Sequence, residues 1–266
     1  MNAFPTFVDL EHGVDKTAAI AEWLGDRHSL VFCRPAGFGR DEWLDVLQAY
    51  LDEAAAPQFD ARFAGTWIAA HPTRDRSARR VMRLSFKGCS GSDGKAVFIE
   101  RLKEGMRDFL MRYPDAGTTA FLTRESDSPA GLWDIFTCEV MPAVRRLTVL
   151  IDDVDGTADV GATADCCWEK AKRWLTVFYE TLKASQHLLG TRVYAVGENP
   201  AVLMELRFSG FSVMSPRTLG TPRFAEYRWE PRVVRKRRMS IGSAAYLTYS
   251  EKSDRTMLWA ETAFRA

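Results

Sequence analysis

Three short segments of this 266-residue chain place residues capable of chemistry directly after apolar runs of strand length. The first runs from Ser29, Leu30, Val31, Phe32 and Cys33 into Arg34, Pro35, Ala36, Gly37, Phe38, Gly39, Arg40 and Asp41. A glycine-containing turn between a strand and a helix is the setting a phosphate-binding loop needs. Glycines let backbone N–H groups turn toward an anion, and the helix N-terminus adds positive potential. Against the full pattern G-x-x-x-x-G-K-[ST], Gly39 fits the second glycine and Arg34 stands at the first. Arg40 replaces the lysine, and Asp41 replaces the hydroxyl residue. The second segment is an apolar run, 147–151, ending in Asp152 and Asp153. In a Walker B element the first acid holds magnesium through water and the second orients the attacking water. The third runs from Val193 to Gly197, Glu198, Asn199 and Pro200, so that a polar residue leaves a strand. Each segment also has a plain structural reading: a strand-to-helix turn, acids in a turn, and Asn199 as a helix cap. Together they have the order and separation of one nucleotide site at the carboxyl ends of a sheet.

The elements that would carry these residues alternate along the chain. Strands are predicted at 29–33, 81–86, 147–151, 192–196 and 224–229. The third is dominated by Val, Leu and Ile, as expected where helices cover both faces of a parallel sheet. Asp15 can cap a helix running to Leu24, with Ile20, Trp23 and Leu24 on one side. Trp43, Leu44, Leu47, Tyr50 and Leu51 lie at helical spacing, as do Phe98, Leu102, Met106 and Phe109, and Trp168, Leu175, Phe178 and Leu182. Asn199 followed by Pro200 is a further helix start. The alternation predicts a three-layer α/β sandwich. Residues 74–80 and 90–94 read as loops, and 241–250 and 256–264 as a terminal β-hairpin.

Composition narrows the class. With 36 Lys and Arg against 35 Asp and Glu, the chain carries too little net charge for its whole surface to bind nucleic acid or anionic membrane. The first residues lack a basic stretch followed by an apolar core, and no run of about 18 uncharged apolar residues occurs, so neither a signal peptide nor a membrane span is expected. The five cysteines and four histidines lack disulfide-framework or metal-ligand spacing. A cytoplasmic protein is expected.

Further motifs sharpen the reading. Val14-Asp15-Lys16-Thr17, the Arg34-Pro35 to Asp41 turn, Leu150-Ile151-Asp152-Asp153-Val154-Asp155 and Phe208-Ser209-Gly210-Phe211 occur in that order. The chain thereby resembles the AAA-ATPase-like family, whose members show V-D-K-T, R-P-R-R-F-G-K-S, L-I-D-E-Y-D and F-S-G followed by a hydrophobic residue. The resemblance covers about residues 4–230. It implies a P-loop NTPase domain over 1–231, with 232–266 as a basic connector and C-terminal hairpin in place of the restriction-type nuclease domain that often follows. It implies ATP or another NTP with Mg2+ as cofactors. Arg34, Gly37, Phe38, Gly39, Arg40 and Asp41 would hold phosphate, Lys16 and Thr17 would approach the base, and Asn199 would lie at the nucleotide. Asp152 and Asp41 are the candidate metal ligands, and Asp153 the catalytic residue.

The departures from the family pattern set the functional expectation. A wide guanidinium at Arg40 is no simple replacement for a compact ammonium in a tight loop. The Asp41 carboxylate beside the phosphates would cost roughly 4 kcal/mol at about 4 Å and an effective dielectric near 20, or about a thousandfold in affinity, before any metal offsets it. Shortening the second acid to Asp153 moves its carboxylate by about 1 Å, a shift that can cost about a hundredfold in rate. The expected protein is therefore a catalytically impaired nucleotide-site protein that acts by binding a macromolecular partner, presumed here to be a protein. Two alternatives stand beside it. One is an active Mg-dependent NTPase using Arg40 and Asp41. The other is a nucleic-acid accessory protein using Arg228, Arg232, Arg235, Lys236, Arg237 and Arg238, whose plainer reading is a solvated linker. No membrane partner is expected.

Overall fold

The computed structural model describes residues 15–25, 29–33, 40–123, 127–158, 166–198, 202 and 211–214. Its centre is a five-stranded sheet in the order β2-β3-β4-β1-β5, every neighbouring pair parallel. The strands are β1 (Ser29–Cys33), β2 (Arg80–Ser85), β3 (Leu147–Asp152), β4 (Arg192–Gly197) and β5 (Phe211–Met214). Four of the five strands predicted from sequence are present, with bounds moved by at most one residue. The fifth strand is 211–214, a segment not marked as a strand in the sequence. The predicted strand at 224–229, the terminal hairpin and the 228–238 basic run lie outside the described residues.

Helices cover both faces. α1 (Ala18–Gly25), α2 (Arg40–Leu51), α3 (Phe59–Phe63) and α4 (Trp67–Ala70) share one face; α5 (Gly94–Arg112), α6 (Pro129–Val140) and α7 (Cys166–Leu189) share the other. Alternation along each strand decides which core a side chain joins. Leu30, Val81, Leu150, Tyr194 and Val196 pack with Trp23, Leu44, Leu47, Phe59 and Phe63. Val31, Met82, Leu84, Val149, Ile151, Val193 and Ala195 pack with Phe98, Met106, Trp133, Phe136 and Phe178. Every residue of β3 before Asp152 is buried, so Asp152 is the first to emerge at the carboxyl edge. At the opposite end, the buried Arg79 guanidinium donates to Thr148 Oγ1, Leu147 O (3.1 Å) and Gly190 O (2.9 Å), tying β3 to the turn before β4.

α6 was not marked by the strand-helix alternation read above, yet its local code is ordinary. Ser128 accepts from Gly131 N at 3.2 Å, Pro129 occupies the first turn, and Leu132, Trp133, Phe136 and Val140 face inward. α5 lies close on the sheet at Gly105, where a Cβ would come within 2.3 Å of Leu84 Cδ2 and 2.8 Å of the Arg83 carbonyl oxygen. In an open helix, alanine is favoured over glycine by up to about 1 kcal/mol. Here overpacking, which costs roughly 1–3 kcal/mol, decides the sign. Gly105→Ala should lower the free energy of unfolding in urea titration; a variant as stable as the wild type would contradict this packing.

Candidate nucleotide site

The sheet order brings the three chemistry-bearing segments to one edge. β4 lies between β1 and β3, with Cys33 paired to Gly197 and Ile151 to Ala195, so the ends of all three strands are level. Immediately beyond them stand Arg40 at the start of α2, Asp152 and Asp153 at the end of β3, and Glu198 after β4. Pairing continues past β3, since Val154 N donates to Val196 O at 3.0 Å.

Arg40 is the hub. Its side chain is 7% exposed, and Nη2 donates to Glu198 Oε1 and, at 3.5 Å, to Asp153 Oδ1. Nη1 is buried without a hydrogen-bond partner among the described residues. Asp153 has a left-handed backbone, φ 47°, which aspartate tolerates better than most side chains. Its N–H donates to the preceding Asp152 Oδ1 at 2.9 Å. Burial raises the Asp153 pKa, and the Arg40 charge pulls it back.

The other carboxylates form a second pairing. Asp41 stands near enough to Asp152 for its charge and a side-chain hydrogen bond both to raise the Asp152 pKa. Burial, then the charges of Asp153 and Asp41, push the Asp152 pKa up to about 6, with Arg83 opposing. Asp155, 8% exposed, accepts from Glu198 N at 2.8 Å and so ties the loop after β3 to the end of β4.

Of the residues proposed from sequence, Arg40, Asp41, Asp152 and Asp153 meet here. Arg34, Gly37, Phe38, Gly39 and Asn199 lie outside the described residues. Thr17 is buried at the start of α1, where its hydroxyl accepts from Ile68 N at 3.1 Å. Neighbouring Asp15 accepts from Thr17 N and Trp67 N, at 2.8 and 2.6 Å. Asp15 and Thr17 therefore tie the approach to α1 to the beginning of α4. Sequence reasoning passed over two members of the cluster. In sequence Glu198 is one of two polar residues after a strand, and Asp155 is one of three acids within four residues. Only the paired register of β3 and β4 gives them their roles.

In residue type the cluster fits a nucleotide with its metal. The orphaned Arg40 Nη1 is a donor a phosphate oxygen would satisfy, and Asp41 with Asp152 supplies carboxylate oxygens suited to a hard cation. Among the described residues, no group of three or more His, Cys, Asp or Glu is placed to hold a metal ion. No described helix is long and apolar enough to cross a membrane.

The raised Asp152 pKa gives a pH dependence. The native state holds this proton more tightly than the unfolded chain, so its stabilising contribution is complete below about pH 4 and is lost as pH rises through about 6. Asp152→Asn should therefore exceed the wild type in stability at pH 7.5 by about 1 kcal/mol, allowing for solvent screening, with no difference below about pH 4. Urea titrations across pH in EDTA check this; a gap that does not change with pH contradicts it.

Comparison with known proteins agrees with the geometry. No curated protein matches the chain significantly. The family model AAA-ATPase-like, described as "Predicted AAA-ATPase", matches residues 10–203, a span that contains Arg40, Asp41, Asp152, Asp153, Asp155 and Glu198. The matched span is most of the chain, and the parallel sheet with helices on both faces is the architecture such a domain requires: the protein belongs to the AAA-ATPase-like family.

Proposed function

We propose that this protein is a degenerate AAA-ATPase-like nucleotide-site protein, catalytically impaired, that acts by binding a macromolecular partner. The observation that carries the reading is the capture of Arg40 by Glu198 and Asp153. The cation standing where the family has its phosphate-gripping lysine is spent on the chain's own carboxylates. A phosphate group must compete with both for the same guanidinium. Asp153, the candidate for orienting an attacking water, is engaged in the same contact.

The start of α2 adds to the competition. Asp41 and Glu42 occupy its first turn, so the positive end of the helix dipole already faces two acids of this chain. Asp41 would also stand against the β- and γ-phosphates, where a hydroxyl would be neutral. Arg40 is thus already engaged by acids of this chain, and further carboxylates surround it.

Binding to a partner has its own support on the outer face of α7. Val177 and Leu188 are 53% and 55% exposed, and with exposed Ala184 they lie on one side of the helix. A partner laid along this side would remove those apolar side chains from water.

The second reading, an active Mg-dependent NTPase, draws on the Asp41–Asp152 pair. A divalent cation held by both carboxylates would neutralise the charge that otherwise repels phosphate. When bound, the metal would supply charge neutralisation at the phosphates. Arg40 would hold phosphate oxygen, and Asp153 would orient water.

Isothermal titration of the full chain with ATP and Mg2+, paired with a phosphate-release assay, separates the two readings. We expect affinity weaker than about 1 mM, in line with a loss of about a thousandfold from micromolar binding, and turnover at background. Micromolar binding that disappears in Asp152→Ala would overturn the weak-binding reading, and turnover that disappears in Asp153→Ala would establish the active NTPase instead.

A further inference from the structure

We propose that Glu198 is an autoinhibitory residue: its carboxylate occupies the Arg40 guanidinium and withholds it from oxyanions, and Asp155 positions Glu198 for that role. The inference rests on the nucleotide-site reading above and names the group that closes the site.

The two ends of the ion pair differ in their freedom. Arg40 is 7% exposed and Glu198 47% exposed, so one partner is fixed in the protein and the other reaches in from water. An ion pair with a half-exposed partner contributes little net stability, because water and rotamer freedom compensate the carboxylate when it leaves. Glu198 can therefore leave when an anion takes its place at Arg40, whereas Arg40 is held in the protein. Asp153, at 3.5 Å, is the weaker of the two acceptors.

Glu198 nevertheless starts from a fixed place. Asp155 Oδ2 accepts its backbone N–H at 2.8 Å. The preceding Gly197 packs so closely that a Cβ would meet Asp155 Oδ1 at 2.8 Å and Val154 Cγ1 at 3.0 Å. The backbone at the end of β4 is thus seated on the β3 loop, and the freedom that remains lies in the Glu198 side chain. With that side chain withdrawn, Arg40 would offer Nη2 together with Nη1, which has no hydrogen-bond partner among the described residues. Two parallel N–H donors match two oxygens of a phosphate group, the geometry in which a guanidinium binds most strongly. The ligand class released by this contact is a phosphate or polyphosphate anion.

The test uses the full chain and two probes, inorganic pyrophosphate and ATP with Mg2+, titrated by calorimetry into wild type, Glu198→Gln and the double variant Arg40→Ala/Glu198→Gln. Glu198→Gln should bind both probes about three- to tenfold more tightly than the wild type, the range set by losing one half-exposed charged competitor. The double variant should lose that gain. Glu198→Ala, expected to move in the same direction, is the second variant should the glutamine form fail to fold by near-UV circular dichroism. Glu198→Gln binding no tighter than wild type, including no binding to either, overturns the autoinhibitory role and leaves the impaired-site reading standing. A wild type that already binds ATP at micromolar concentration overturns the impaired-site reading instead, whatever the ratio between variants.

Discussion

The arrangement at the carboxyl edge of the sheet depends on one buried cation. Arg40 begins α2 with its guanidinium in the protein, where an unpaired charge would be costly, and Glu198 and Asp153 supply the compensation. Because those acids come from the ends of β4 and β3, the pairing joins three separate crossings of the sheet. It can form only because β4 lies between β1 and β3, bringing residues more than a hundred positions apart to the same level.

The same edge would have to serve a bound nucleotide, and there the demands conflict. Phosphate needs free donors and positive potential. This edge has a guanidinium already engaged, two acids in the first turn of α2, and carboxylates whose mutual repulsion raises the Asp152 pKa. Compensation within the chain makes a ligand-free site comfortable and a phosphate-bound site a contest. The left-handed backbone at Asp153 belongs to this picture, for it turns the chain sharply as it leaves β3 and sets that carboxylate toward Arg40. Folding stability and phosphate affinity thus draw on the same side chains in opposite directions.

Much of the frame was legible in the residues themselves. The Val-Leu-Ile run of β3 announced a strand buried on both faces, and Asp152 and Asp153 fell at its end as that pattern requires. The helices α1, α2, α5 and α7 followed from apolar spacing at 3.6 residues. Other features depend on long-range contacts with no local signature. The burial of Arg40 and its choice of Glu198 follow from the register between β1 and β4, which no window of sequence contains. Thr17 lies within a motif suggestive of ligand contact, yet its hydroxyl meets a backbone N–H fifty-one residues away. α6 is a different case: Ser128, Pro129 and the inward apolar positions carry its signal locally, with no chemistry-bearing strand end beside it.

The most direct probe of the central interaction is its coupling energy. A double-mutant cycle in urea at low ionic strength, using Arg40→Gln, Glu198→Gln and the combined variant, isolates what the two charges contribute to each other beyond their separate surroundings. A favourable coupling of about 0.5 kcal/mol or more is expected, reduced by added salt. Strictly additive effects, with no coupling at any ionic strength, would mean that Arg40 is not held by Glu198 and would contradict the account at its foundation.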